Sequence, residues 1–406
     1  MDELINSMVV DELRSSLRTV DPTLECSALT RARTAVAGMR LRARVDLVRD
    51  ALLTDLPDGS AAAERIVDAL LSVPEFAGWM IWPATEFVAT RALQDGTTAA
   101  FDAGMALLAR LTTRLSSEFA IRDMLIARPE RAIRAMETWT GHDNEHVRRL
   151  ASEGSRAYLP WAKRVPWLIE NPDATRGILD ALYCDPAEYV RRSVANHLND
   201  LSRVDPAVVT RTARVWAESP DAHTPWVIRH GLRTLVKNAD PEALVLVGYS
   251  GDRVHVDRPQ ISNTVVRIDE DVLTFTAVVT NEDDTSAAVA IDYSIGFQRA
   301  NGTVSHKTFK LTSRKLAPGQ SITVAKTHSF RRITTRAYYP GRHVVTVQAN
   351  GRRSPEAEFT VVDVGDTVAA TPTLTHGPRP RGKERPDALH TGPGGRGTPG
   401  GGGTAG

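Results

Sequence analysis

Two segments 43 residues apart constrain the chain more than any other feature. "DNEHVRRLASEG" (143–154) and "DPAEYVRRSVANH" (185–197) share an acidic start and a Val-Arg-Arg core. "TPWVIRHGLRTLVK" (224–237) is a looser third copy. A period near 40 residues, filled by pairs of helices, is the pattern of HEAT-like repeats, which stack into a curved solenoid. The alternative is an ordinary helical bundle with accidental similarity.

The surrounding sequence agrees with helices. Residues 1–252 are rich in Ala, Leu, Arg and Glu, with apolar residues at helical spacing, and hold all seven tryptophans. Asn171-Pro172, Asp185-Pro186, Asp205-Pro206 and Asp240-Pro241 each read as an N-cap followed by proline at the first helical position. Residues 258–363 change character. β-Branched and alternating runs are separated by Asn301-Gly302, Pro318-Gly319, Pro340-Gly341 and Asn350-Gly351, which predicts an immunoglobulin-like β-sandwich without its disulfide. Residues 364–406 are Gly/Pro-rich with few large apolar side chains, so a disordered tail is expected there. The fold class is therefore multidomain: a HEAT-like α-solenoid, then an immunoglobulin-like sandwich, then a tail.

Charge is informative only locally. The formal net charge is +1, yet 296–353 holds twelve Lys/Arg and no Asp or Glu. Such a surface suits a polyanion, duplex nucleic acid above all; an acidic protein partner is the other reading. Lys307, Lys310, Arg331, Arg332 and Arg336 are candidate contacts within it. In the solenoid, Arg229, Arg233 and Lys237 are spaced to share one helix face and form a second basic stripe. The two cysteines make neither a disulfide framework nor a zinc motif, and a cytoplasmic protein is expected. The N-terminus is no signal peptide, and no apolar run is long enough to span a bilayer.

In 188–206, at about 100° per residue, Val190, Val194, Leu198 and Leu201 form a core stripe. Arg192, Asn196, Asn199 and Asp200 fall opposite, and His197 lies beside the stripe as a packing histidine. In the preceding copy, Arg149 takes the place of Arg192 and Glu153 that of Asn196. Adjacent repeats should set these faces side by side. Glu118 falls on the apolar side of its own segment, with Arg122 four residues on. It is either neutralised by Arg122 or directed into a pocket.

Together, "TRLSSEFAIRDML", "HVRRLASEGSRAYLPWAKR", "YVRRSVANHLNDLS", "TPWVIRHGLRTLVK" and "ALVLVGYS" resemble the AlkC family of alkylpurine DNA glycosylases. "TFKLTSRKLAPGQ" and "THSFRRITTRAYYPGRHVVTVQANG" resemble the immunoglobulin-like domain of its longer branch. One departure is Ala157-Tyr158, where the family pattern would have Pro-Arg. The resemblance implies hydrolytic excision of N3-alkylated bases, 3-methyladenine and 3-methylcytosine, from duplex DNA. It implies no cofactor, no metal, no full base flipping, and a monomer. It implies Glu118, Glu153 and Asp200 as the active-site carboxylates, with Trp161, Arg149 and Asn196 against the lesion. DNA contacts would come from Arg148, Arg192 and the two basic stripes. A non-catalytic nucleic-acid-binding scaffold is the competing reading.

Overall fold

The computed structural model describes residues 2–249, 253–333 and 337–363. The expected tail, 364–406, and the candidate DNA contact Arg336 lie outside the described residues.

Sixteen α-helices among the described residues build the first region, from Ser7–Val20 to Pro241–Leu246. The three copies of the repeat are spatial neighbours, as the offset predicts. Helix Glu188–Leu201 packs against helix Glu145–Gly154 on one side and helix Thr224–Gly231 on the other. Val190, Val194 and Leu198 are fully buried, and Leu201 nearly so. The third copy breaks at Leu232, so Arg229 and Arg233 lie on consecutive short helices, Thr224–Gly231 and Arg233–Lys237. The stripe is therefore not one helix face, although its three residues still line one cleft.

The proline-marked starts divide. Asp205 accepts from the backbone N–H groups of Ala207 and Val208, and Asp240 from that of Ala243, as N-caps should. Asp185 instead closes a turn onto Ala187 N, and the helix begins only at Glu188. The Asn171 side chain turns back to the Trp167 carbonyl rather than capping forward.

Among the described residues ten strands follow: β1 (Val254–Val256), β2 (Gln260–Ile261), β3 (Val265–Arg267), β4 (Val272–Asn281), β5 (Ala287–Gln298), β6 (Val304–Leu316), β7 (Ser321–Ser329), β8 (Gly341–Ala349), β9 (Arg352–Arg353) and β10 (Ala357–Val362). One sheet centres on β4, flanked by β1 and β2 on one edge and β7 on the other. The second runs β3-β10-β8-β5-β6, with β9 closing a hairpin on β8. A single apolar core, including Phe275, Ile291, Val345 and Phe359, fills the space between them. The sandwich thus starts at Val254, before the predicted boundary at 258; a three-residue strand ahead of Arg258-Pro259 is too short to stand out by alternation.

Candidate active site

Glu118 does not lie on a helix. It occupies the turn ahead of helix Ile121–Ala127, so counting helical angles to Arg122 misplaces both residues. Arg122 is fully buried and serves the backbone: Nε donates to Lys163 O (3.0 Å), and Nη1 to Gly154 O (2.7 Å) and Arg156 O (2.8 Å). Burial pulls its pKa down to about 10, which still leaves it charged at neutral pH. These bonds pin both ends of the loop that follows helix Glu145–Gly154. Of the two expectations for Glu118, the Arg122 pair is overturned and the pocket holds.

Arg149 takes Glu118 instead. Its Nη1 lies 2.6 Å from Glu118 Oε2 and 3.1 Å from Ser116 Oγ, while Nη2 lies 3.4 Å from Glu153 Oε1. Ser116 Oγ also donates to Glu118 Oε2 at 2.8 Å. Burial works to lower the Arg149 pKa, but the carboxylates of Glu118 and Glu153 outweigh it. The Tyr189 ring stacks under this guanidinium, its centre 5.1 Å from Cζ.

Arg156 completes the constellation. Its Nη1 donates to Glu153 Oε1 (2.7 Å) and its Nε to Asp200 Oδ2 (2.8 Å). Glu153 Oε2 accepts from Ser193 Oγ at 2.6 Å. Burial pushes the Asp200 carboxyl up from its ordinary range, and Arg156 opposes the rise. Burial also works to lower the Arg156 pKa, but the Asp200 hydrogen bond and the charge of Glu153 outweigh it. A 2.8 Å contact between the two keeps the pair ionised at neutral pH. Three carboxylates thus share two guanidinium groups in one chain, Glu118–Arg149–Glu153–Arg156–Asp200. Arg156 sits in a loop, where helical periodicity says nothing; that is why sequence reasoning missed it. Ser193 and Tyr189 were missed because neither type is distinctive on a helix face.

A cavity of about 240 Å³ opens beside this chain. Glu118, Glu153 and Arg156 line it together with Trp79, Trp82 and Phe119. Trp82 and Phe119 are stacked, ring centres 4.3 Å apart. Trp161 also lines it, is 79% exposed, and has a left-handed backbone (φ 62°) that non-glycine residues rarely adopt. An indole held out of the core by a strained loop is available to a ligand, so core packing is not its role.

The remaining expected residues are dispersed. Arg192 is exposed and paired with Glu188. Asn196 Oδ1 accepts from His230 Nε2 (3.2 Å) and Arg233 Nη2 (3.1 Å) and is not among the residues lining the cavity. Arg148 is committed internally, in a two-point pair with Asp185 and with two carbonyls, of His142 and Asp143. Four of its five N–H donors are thereby engaged within the protein. Arg332 bonds Asp269 and Asp363, so acids elsewhere in the sandwich neutralise part of the basic run. Arg331 and Lys307 are exposed. Two guanidinium groups lie against the Tyr158 ring, Arg164 at 4.4 Å and Arg203 at 5.4 Å from its centre.

His197 is a packing histidine, and it locates Glu153. Nδ1 donates to Ser152 O (2.9 Å), which fixes the tautomer, and Nε2 accepts from Thr175 Oγ1 (3.1 Å). Full burial holds its pKa down to about 3. A histidine depressed in the native state contributes stability that is complete above the unfolded value near 6.5 and lost as pH falls toward 3. The His197→Gln variant should therefore show a flatter loss of stability than wild type between about pH 6 and pH 4. The difference is at most about 1.4 kcal/mol per pH unit. Denaturant titrations across that window check it; parallel slopes would refute the buried neutral ring.

The chain is similar to known proteins in both of its regions. A family model described as "DNA alkylation repair enzyme" matches residues 111–235, the segment holding Glu118, Glu153, Trp161 and Asp200. A second, the C-terminal Ig-like domain of the uncharacterised protein YhaZ, matches 255–363. The uncharacterized protein YhaZ of Bacillus subtilis (strain 168) is 37% identical over 255 residues, 63% of this chain and 70% of that protein. Among solved structures, the Pseudomonas fluorescens alkylpurine DNA glycosylase AlkC, bound to DNA containing an abasic site analog, superposes with a TM-score of 0.77 at 32% identity. That match covers 89% of this chain and 99% of the other.

Proposed function

The chain belongs to the family of the alkylpurine DNA glycosylase AlkC and of YhaZ, and on that premise we propose that it is a DNA glycosylase releasing N3-methylated bases, 3-methyladenine and 3-methylcytosine, from duplex DNA. The observation that carries this reading is the chain of three carboxylates on two arginines beside an aromatic cavity.

N3 methylation leaves the base cationic and already a good leaving group, so no strong general acid is required. Bond cleavage develops positive charge on the sugar. A fixed carboxylate stabilises that charge, and the arginines hold Glu118, Glu153 and Asp200 in place. A carboxylate also positions or deprotonates the attacking water, giving simple hydrolysis with no covalent enzyme intermediate and no metal. Trp161 stacks on the cationic base, a contact worth about 0.5–2 kcal/mol. Water adds to the sugar C1′ as the C1′–N bond breaks and the base leaves, without full flipping from the helix, and the duplex is held by Arg229, Arg233, Lys237, Lys307, Lys310 and Arg331.

The test is incubation with duplex DNA carrying N3-methyladenine or N3-methylcytosine, followed by quantification of free bases. Release of both above a no-enzyme control is expected. No release from either, with duplex binding intact, would leave a nucleic-acid-binding scaffold as the better account.

A further inference from the structure

The solenoid and the sandwich face each other across a cleft of about 620 Å³. Arg229, Arg233 and Lys237 stand on the solenoid side; Lys310, Arg314 and Lys315 of β6 stand on the other. Six cations line it against one carboxylate, Asp292 of β5, whose pKa burial pushes up. Walls of like charge repel each other. Something must fix their separation for both to reach one ligand together.

Two hydrogen bonds pull the walls together. Gln348 Nε2 donates to Lys237 O (3.3 Å), and the Tyr249 hydroxyl meets Ser313 Oγ (3.1 Å). One contact limits their approach. The β8–β9 hairpin turns through Asn350 (φ 45°) and Gly351 (φ 84°), a two-residue connection with both residues left-handed. This turn meets Ala239, at the end of the helix carrying Arg233 and Lys237, itself left-handed (φ 64°). A Cβ placed on Gly351 would lie 2.6 Å from Ala239 Cβ and 3.1 Å from Ala239 O, so nothing larger than hydrogen fits. The turn is bolted to β5 beneath the cleft: Ala290 N donates to Asn350 Oδ1 (2.8 Å), and Asn350 Nδ2 to Ala288 O (3.0 Å). Ala288 and Ala290 line the same cleft.

We propose that the contact between Ala239 and Gly351 is the stop that sets the separation of the cleft's two basic walls, and so decides how many phosphates of a bound duplex both walls reach at once. The part concerning DNA rests on the functional reading above.

Two variants press on the stop from opposite sides. Ala239→Asn and Gly351→Asn each add bulk using the residue that best tolerates a left-handed backbone after glycine. Gly302→Asn is the control: it lies in another sandwich turn at φ +78° with nothing within 4 Å of an added Cβ. Binding is read with an unmodified fluorescent duplex over a salt series. Both stop variants should weaken Kd about tenfold and flatten the log–log salt slope by about 2, the signature of two lost phosphate contacts. The control should match wild type. A second measurement needs no DNA: nitroxide labels at Val215→Cys and Val304→Cys, both exposed, in a Cys184→Ala chain, read by pulsed dipolar spectroscopy. The stop variants should shift or broaden the distance distribution, and the control should not. An unchanged distribution in both stop variants overturns the proposal, as does a control that weakens binding equally. Wild-type protein that fails to bind the duplex would end the nucleic-acid reading, while the distance measurement still decides whether the contact is a stop.

Discussion

Asp200→Asn should slow base release from N3-methylated duplex by about a thousandfold while leaving duplex affinity within about twofold. The first number follows from Coulomb's law. A unit charge about 4 Å from the developing positive sugar, at an effective dielectric near 20, contributes about 4 kcal/mol. Each ~1.4 kcal/mol is a factor of ten in rate. The second follows because Asp200 is buried and bonded to Arg156 rather than presented on the outer surface. Asparagine is nearly isosteric and can still accept from Arg156 Nε, so the fold should survive. Single-turnover release, with binding measured in parallel, checks both numbers. Equal losses in both would reassign Asp200 to binding or folding. The pH dependence has a definite sign. Burial raises the Asp200 pKa, so wild-type release should begin to fall at a higher pH than an exposed aspartate would require as the solution is acidified.

Arg156→Met should cost about 3–5 kcal/mol of folding stability, the usual range when one partner of a buried ion pair is removed. Arg156 is buried and is the partner common to Glu153 and Asp200. Without it, Glu153 keeps one guanidinium in contact, Arg149, and buried Asp200 loses its hydrogen-bonded guanidinium and is left with charges that include the non-bonded Arg203. The structure answers by binding a proton, which raises a carboxyl pKa in the native state above its unfolded value. The native form then binds more protons than the unfolded chain, so the variant's stability should recover as pH falls and worsen as it rises. Arg156→Lys, which restores charge but only one point of contact, should fall between. Urea midpoints at several pH values test this. A variant whose deficit does not shrink on acidification would show that the two carboxylates are not buried charges.

Much of this was legible in the residues. The Val-Arg-Arg period placed helices Glu145–Gly154 and Glu188–Leu201 side by side, and with them Glu153 and Asp200. Turn dipeptides such as Asn350-Gly351 located hairpins because only certain residues adopt left-handed backbone. Periodicity failed where the chain leaves regular elements. Glu118 lies in a turn, Arg156 in a loop, and the third repeat breaks at Leu232. A wheel assigns no direction to such side chains. Nor does a run of twelve basic residues reveal that Arg332 answers to Asp269 and Asp363, because those acids lie outside the run.

The sequence by itself determined the order of the two architectures and the stacking of the repeats, because those depend on hydrophobic period, turn chemistry and residue type; the choice of carboxylates to test rests on the resemblance to the AlkC family. Tertiary structure alone decided which arginine serves which carboxylate. Arg122, four residues from Glu118, turned to the backbone; Arg149 and Arg156, dozens of residues away from one or another partner, formed the chain of charge. The reason is physical: a buried guanidinium goes where several acceptors converge, and that convergence is a property of loops meeting in space.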